Sequence, residues 1–147
     1  MAGDSVEVLH GVNLDQLGSR NPLIYGDFTL PELEQQIEGF AKDLGLKASF
    51  FQSNSEGEFV ERLHQLPEVA DAAIVNAGAW THYSWAIRDA LEVAALPAVE
   101  VHLSAVDERE EWRRVSVIRD LCIATVAGKG ADGYREALDL LQAKLGE

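Results

Sequence analysis

The chain has 147 residues, 47% of them hydrophobic, and a formal net charge of -13 from 25 acidic against 12 basic side chains. That is the length and apolar content of one globular domain, expected to span residues 1–147 around a single core. The excess negative charge repels phosphate backbones and anionic head groups, which argues against nucleic acid and membrane surfaces as partners and requires any anionic small molecule to be met by local cations.

The start shows no basic flank followed by a continuous apolar run, and no apolar run approaches membrane-spanning length, so a soluble chain in the cytoplasm is expected. Residues 6–9 predict a short first strand. Behind it, residues 10–26 carry Asn13, Arg20 and Tyr25 on backbone interrupted by Gly11, Gly18, Pro22 and Gly26, a loop able to present polar groups over a pocket. Thr29-Leu-Pro-Glu32 predicts a capping box with proline in the first turn. Leu30, Leu33, Ile37, Phe40 and Leu44 line one face of the helix it opens, and Gly45 stands where a C-terminal cap belongs.

Residues 48–51 predict the second strand. Ser55-Glu-Gly-Glu58 predicts another capping box, opening a helix with Phe59, Leu63 and Leu66 inward. Residues 71–76 are apolar on both faces, as strands of a covered parallel sheet are. Ala86, Ala90, Leu91 and Ala94 predict the next helix, ending before Pro97, and residues 98–101 and 122–127 predict the fourth and fifth strands. The single cysteine, Cys122, lies in that last apolar run and reads as a buried, inert thiol. Tyr134, Ala137, Leu138, Leu141 and Leu145 mark the inward face of a final helix.

Strand and helix alternate along most of the chain, which predicts a doubly wound α/β fold: a five-stranded parallel sheet in the flavodoxin-like order 2-1-3-4-5 with helices on both faces. In such sheets ligands bind beyond the carboxyl ends of the strands, at the switch point between the first and third. Those ends carry His10 to Asn13, Asn76 to His82, and His102 to Ser104.

His102 fits two roles, a general acid or base in the crevice or a ring that caps its strand through a backbone hydrogen bond. His82 begins a helix, where a structural hydrogen bond is the common use, and His64 reads as surface. The four histidines lack the short spacing of a zinc site and the lone cysteine adds no ligand pair, so no metal is expected. Lys42, Lys47, Lys129 and Lys144 fall at element edges, on polar faces or in a loop, which disfavours covalent lysine chemistry. The run Arg109-Glu-Glu-Trp-Arg113-Arg114 is either a solvated face or a source of Arg113 for the crevice, with Arg109 and Arg114 pairing with nearby acids. A phenol ionises near pH ~10 in water, so Tyr25 can serve as a base at neutrality only beside cations, of which Arg20 and Arg113 are the candidates. Its other reading is a ring that anchors the loop by packing on the sheet.

Taken together these motifs resemble type II 3-dehydroquinate dehydratase, nearly end to end. The family pattern N-G-P-N-L-N-x-L-G-x-R-x-P-x-x-Y-G is similar to residues 10–26 here. Further blocks are Gln52-Ser-Asn-Ser-Glu-Gly57, Asn76-Ala-Gly-Ala-Trp-Thr-His82, Ile87-Arg-Asp-Ala-Leu91, Glu100-Val-His-Leu-Ser104, Arg109-Glu-Glu-Trp-Arg113 and Gly130-Ala-Asp-Gly-Tyr134. The resemblance implies anti elimination of water from 3-dehydroquinate to 3-dehydroshikimate, without Schiff base or cofactor. It implies Tyr25 as the tyrosinate base, held by Arg20 and Arg113, Asn13 as holder of the water on the enolate oxygen, and His102 as the acid. Asn76, the backbone of Leu103 and the Ser104 hydroxyl would hold the substrate carboxylate, with His82 and Arg113 on ring hydroxyls. Asp89 would reach a neighbouring subunit's site in a homo-oligomer, a trimer or dodecamer, and residues 17–26 would close over the substrate.

Six positions depart from the family pattern: His10 and Asp15 replace Asn, Val12 replaces Pro, Trp80 replaces Tyr, and Asp107 and Val115 stand where His is frequent. Three of them cluster around Asn13, which keeps open a second reading, a weak or inactive relative acting as a small-anion binding or assembly module. An FMN protein is disfavoured, because the loop after the first strand lacks the Ser, Thr and Gly donors of a phosphate cradle.

Overall fold

A computed structural model describes residues 3–147. β1 (Ser5–His10), β2 (Lys47–Gln52), β3 (Ala72–Asn76), β4 (Ala98–His102) and β5 (Ala124–Ala127) form one parallel sheet in the order β2-β1-β3-β4-β5. This is the flavodoxin-like winding expected from the alternation of elements. The helices are α1 (Pro22–Tyr25), α2 (Leu30–Asp43), α3 (Glu56–Val69), α4 (Trp85–Ala94) and α5 (Asp132–Leu145).

The sheet divides the apolar interior in two, where a single core was expected. On one face Leu33, Ile37, Leu138 and Leu141 of α2 and α5 pack on Val6, Val8, Ile74 and Val101. On the other, Phe59 and Leu63 of α3 and Ile87 and Leu91 of α4 pack on Leu9, Ala73 and Val75. Consecutive strand residues point to opposite faces, so one apolar strand feeds both clusters. Each fully buried Leu, Ile, Val or Phe contributes about 1.5–3 kcal/mol relative to exposure.

The capping box at Thr29 is complete: Glu32 N–H donates to Thr29 Oγ1 at 3.4 Å and the Glu32 carboxylate accepts from Thr29 N–H at 2.9 Å. The box predicted at Ser55 is only half formed. Glu58 N–H donates to Ser55 Oγ, but the Glu58 carboxylate accepts from the Ser53 hydroxyl at 2.8 Å, and Ser53 Oγ takes the Ser55 N–H in its place. Ala86 is exposed, not inward, because α4 buries the stripe Ile87, Ala90, Leu91 and Ala94. β5 begins at Ala124, two residues later than expected, since a 3₁₀ turn over Arg119–Leu121 leads into it. Cys122 is half-buried behind that turn, and burial, with Glu100 and Asp120 adding negative charge, pushes its thiol up to about 12.

Two glycines let the exits of β1 and β3 cross closely. A Cβ on Gly11 would lie 2.2 Å from the Ala77 carbonyl oxygen, and one on Gly78, at φ 64°, 2.6 Å from the Val12 oxygen. Their crossing shapes the floor of the crevice at the switch point. Among the described residues, no helix is long and apolar enough to cross a membrane.

Candidate active site

Leaving β1, the chain turns through Asn13 at φ 69°, a left-handed conformation that asparagine tolerates better than most residues. Asn13 N–H donates to Asn54 Oδ1 at 2.8 Å, and Asn54 Nδ2 donates to Asp15 Oδ2 at 3.0 Å. Gln52 Nε2 also donates to the Gly11 carbonyl at 3.2 Å. Thus Asp15 and Asn54 tie down a turn that has Val12 where the resembled pattern has proline.

The segment expected to be loop contains a short helical turn. Asn21 Oδ1 accepts from Leu23 N–H at 3.0 Å, Pro22 opens the turn, and α1 delivers Tyr25 at its end. Arg20 Nη2 and Arg109 Nη1 each donate to Tyr25 Oη at 2.8 Å. The Arg20 guanidinium also lies 3.9 Å from the ring centroid. The second cation on Tyr25 is therefore Arg109, whereas Arg113 was expected. Arg113 pairs with Glu110 at 3.0 Å and sits 4.1 Å from the Trp112 ring centroid. Arg109 lies five residues after the strand-end Ser104, and its Nη1 reaches Ser104 Oγ at 3.2 Å as well. That short return was the signal available in the sequence.

His102 closes β4. Its Nε2–H donates to Glu100 Oε2 at 2.5 Å, so a buried carboxylate, not a backbone carbonyl, orients the ring. Strand alternation places residues two apart on the same face, which makes this pairing readable from Glu100-Val-His102. The other Glu100 oxygen accepts from Ser116 Oγ at 3.0 Å and Thr125 Oγ1 at 3.3 Å, with Arg119 Nε 4.0 Å away. Burial works against the Glu100 charge, but His102, Ser116 and Arg119 outweigh it and hold this carboxyl below the ordinary range. Glu100 is thus an anion at neutral pH.

His82 ends the 3₁₀ turn Gly78–His82, donates from Nδ1 to the Val115 carbonyl at 2.7 Å and stacks on His102 at 6.3 Å between centroids. Burial lowers its pKa despite the pull of that carbonyl. Because the partner is backbone, this hydrogen bond does not depend on the side chain at 115. Trp80 is core, edge-on to Phe59 at 5.6 Å.

Asn13, Arg20, Tyr25, Asn76, His82, His102, Leu103, Ser104 and Arg113 all border one crevice beyond β1, β3 and β4, and Arg109 completes it. Asp89 does not reach it; this residue lies on the exposed side of α4. No cluster of three or more His, Cys, Asp or Glu among the described residues is arranged to hold a metal ion.

Beneath the crevice, His10 is fully buried, with Nε2 2.8 Å from Tyr134 Oη, and burial lowers its pKa from 6.5 to about 4. The unfolded chain protonates His10 below pH 6.5 and the folded chain only below about 4. Its contribution is therefore complete above the first value and lost as pH falls through the second, up to about 3 kcal/mol. His10→Gln, which does not titrate, flattens this part of the dependence. Urea unfolding at pH about 7 and about 4.5 measures it, and equal acid sensitivity of both proteins would count against the neutral, buried ring.

The fold and the crevice define a flavodoxin-like enzyme equipped for acid–base chemistry. The sequence model described as dehydroquinase class II matches residues 4–142. The chain is 47% identical over 135 residues, 92% of each chain, to a 3-dehydroquinate dehydratase of Thermotoga neapolitana. It is 44% identical to one of Leptothrix cholodnii, covering 95% of this chain and 97% of that one. A crystal structure of a type II dehydroquinase from Butyrivibrio crossotus superposes with a TM-score of 0.91 at 36% identity, covering 96% and 99%. The chain belongs to the class II dehydroquinase family.

Proposed function

We propose that this protein, as one catalytic domain in the cytoplasm, removes water from 3-dehydroquinate by anti elimination, giving 3-dehydroshikimate through an enolate. The observation that carries the reading is the pair of guanidinium N–H groups 2.8 Å from Tyr25 Oη, in the same crevice as the His102–Glu100 pair. The two charge-assisted donors meet at one phenol oxygen, the atom that takes the proton in this reading.

Tyrosinate 25 takes the C2 proton, and the electron pair moves onto the C3 oxygen as an enolate. A water held by Asn13 stabilises that oxygen. His102, protonated and held by Glu100, gives its proton to the C1 hydroxyl, which leaves as water while the C1–C2 double bond forms. Among the described residues Nδ1 of His102 has no protein partner, which supports it as the nitrogen that gives the proton to the leaving group. Solvent then removes the proton from Tyr25 and restores the one on His102, so no cofactor is needed. Asn76, Leu103 N–H and Ser104 hold the carboxylate, and His82 and Arg113 the ring hydroxyls. Residues 17–26 act as a lid whose closure brings Arg20 and Tyr25 to the ring and excludes water.

The test adds purified protein to 3-dehydroquinate and follows the ultraviolet absorbance of the conjugated enone. Absence of turnover at high protein concentration would leave the non-catalytic binding or assembly reading.

Assembly is the second part of the proposal. Trp85, Asp89 and Val93, spaced by four, form one stripe on α4, and Trp85 and Val93 are 67% and 66% exposed. Apolar side chains bared beside a carboxylate suit a contact that delivers Asp89 to a neighbouring subunit, in a trimer or a dodecamer. Val93→Arg is expected to give a 16.1 kDa species in light scattering, with reduced activity. An assembly unaffected by this change would place the contact elsewhere.

A further inference from the structure

A buried chain of hydrogen bonds runs under the crevice from His10 to Asn76. His10 Nε2 lies 2.8 Å from Tyr134 Oη, Asn76 Nδ2 donates to the same oxygen at 3.2 Å, and Gly78 N–H donates to Asn76 Oδ1 at 3.3 Å. One arrangement of protons leaves the fewest of these groups unpaired. Because Asn76 turns its oxygen to Gly78, its NH₂ faces Tyr134, and the hydroxyl proton of Tyr134 has His10 Nε2 as its acceptor. In the reverse arrangement both that proton and the His10 Nδ1 lone pair would be buried without partners, since Tyr134 and His10 are 0% exposed. The proton of the neutral His10 ring therefore sits on Nδ1, the one group of this hydrogen-bond chain left without a partner among the described residues. Of the two N–H bonds of Asn76, one is spent on Tyr134 and the other is left for the crevice that Asn76 borders.

We propose that His10 is a positioning residue for substrate binding, acting through Tyr134 to hold the Asn76 amide so that it presents an N–H, and not its oxygen, to the substrate. The proposal rests on the dehydratase reading in taking a substrate oxygen as the acceptor of that N–H. It also gives His10 a use at a position where the resembled pattern has asparagine. An asparagine amide would lie near the place of the ring's Nδ1 and end short of Tyr134 Oη. A glutamine amide instead reaches the place of Nε2 and can accept the same proton.

Steady-state kinetics on 3-dehydroquinate with His10→Gln, His10→Phe and Tyr134→Phe tests this. The loss of one neutral hydrogen bond in Tyr134→Phe, or in His10→Phe, is expected to raise KM about fivefold to tenfold, with a smaller change in kcat. His10→Gln is expected to keep KM within about twofold, because it retains an acceptor for the Tyr134 proton. An unchanged KM in Tyr134→Phe, or a KM raised as much by Gln as by Phe at position 10, would overturn the proposal. Tyr134→Phe deletes a single oxygen, which keeps the test readable if His10→Phe does not fold. Should the unsubstituted protein fail to turn over 3-dehydroquinate, the dehydratase reading falls, and the hydrogen-bond chain is read separately by ¹⁵N spectra of labelled His and Asn. There the expected result is an unprotonated His10 Nε2 and an Asn76 side-chain amide that shifts in Tyr134→Phe. A protonated Nε2, or an amide indifferent to Tyr134, would refute it.

Discussion

Tyr25→Phe is expected to lower kcat on 3-dehydroquinate by about 10²- to 10⁴-fold, the usual weight of a positioned general base. The phenol oxygen is the only atom removed. The ring keeps its packing against the α2 and α5 side of the sheet and its place 3.9 Å from the Arg20 guanidinium, so the fold and the course of residues 17–26 are preserved. The loss should therefore fall on kcat, with KM little changed. In deuterated water the variant should also stop exchanging the C2 proton, because among the described residues no other oxygen in the crevice is held between two guanidinium groups. A variant that keeps most of its activity would remove Tyr25 from the role of base.

His102→Ala is expected to cost a comparable about 10²- to 10⁴-fold in product formation, but at a different step. If Tyr25 forms the enolate and His102 acts only on the departing hydroxyl, the His102 variant should still exchange the C2 proton for deuterium while water release stalls. Loss of exchange together with loss of product would move His102 to the first step and overturn the division of labour. Glu100→Gln should have a smaller effect in the same direction. It keeps the shape of the buried partner at 2.5 Å from Nε2 but removes the negative charge beside the ring.

The secondary structure was legible because local rules act along the chain. Capping at Thr29, the three-and-four spacing of Leu30, Leu33 and Ile37, and the doubly apolar strand ending at Asn76 each needed only neighbours in sequence. Where local rules failed, a contact from outside the segment had won: Ser53 took the carboxylate that should have closed the Ser55 box, and the packing of α4 on α3 left Ala86 in solvent. In the crevice, the residues at strand ends were readable since a parallel sheet sends its carboxyl ends to one edge. The choice between Arg109 and Arg113 was not. Both follow Ser104 within ten residues, and which one meets Tyr25 depends on how the 3₁₀ turns Val106–Glu108 and Glu111–Arg114 pack on each other and aim Arg109, which lies between them.

His10 shows the same boundary. Read along the chain it is one of three departures around Asn13 that keep a weak or inactive relative open as a second reading. In the fold it is a buried, neutral ring on Tyr134, a residue 124 positions away, and that hydroxyl in turn holds Asn76. Elements, winding order and the position of the crevice follow from local propensity and periodicity, which the chain carries residue by residue. Which cation meets the phenol, which carboxylate orients the histidine and what the substituted His10 does required the folded molecule, because hydrogen bonds between side chains depend on distances that only packing sets.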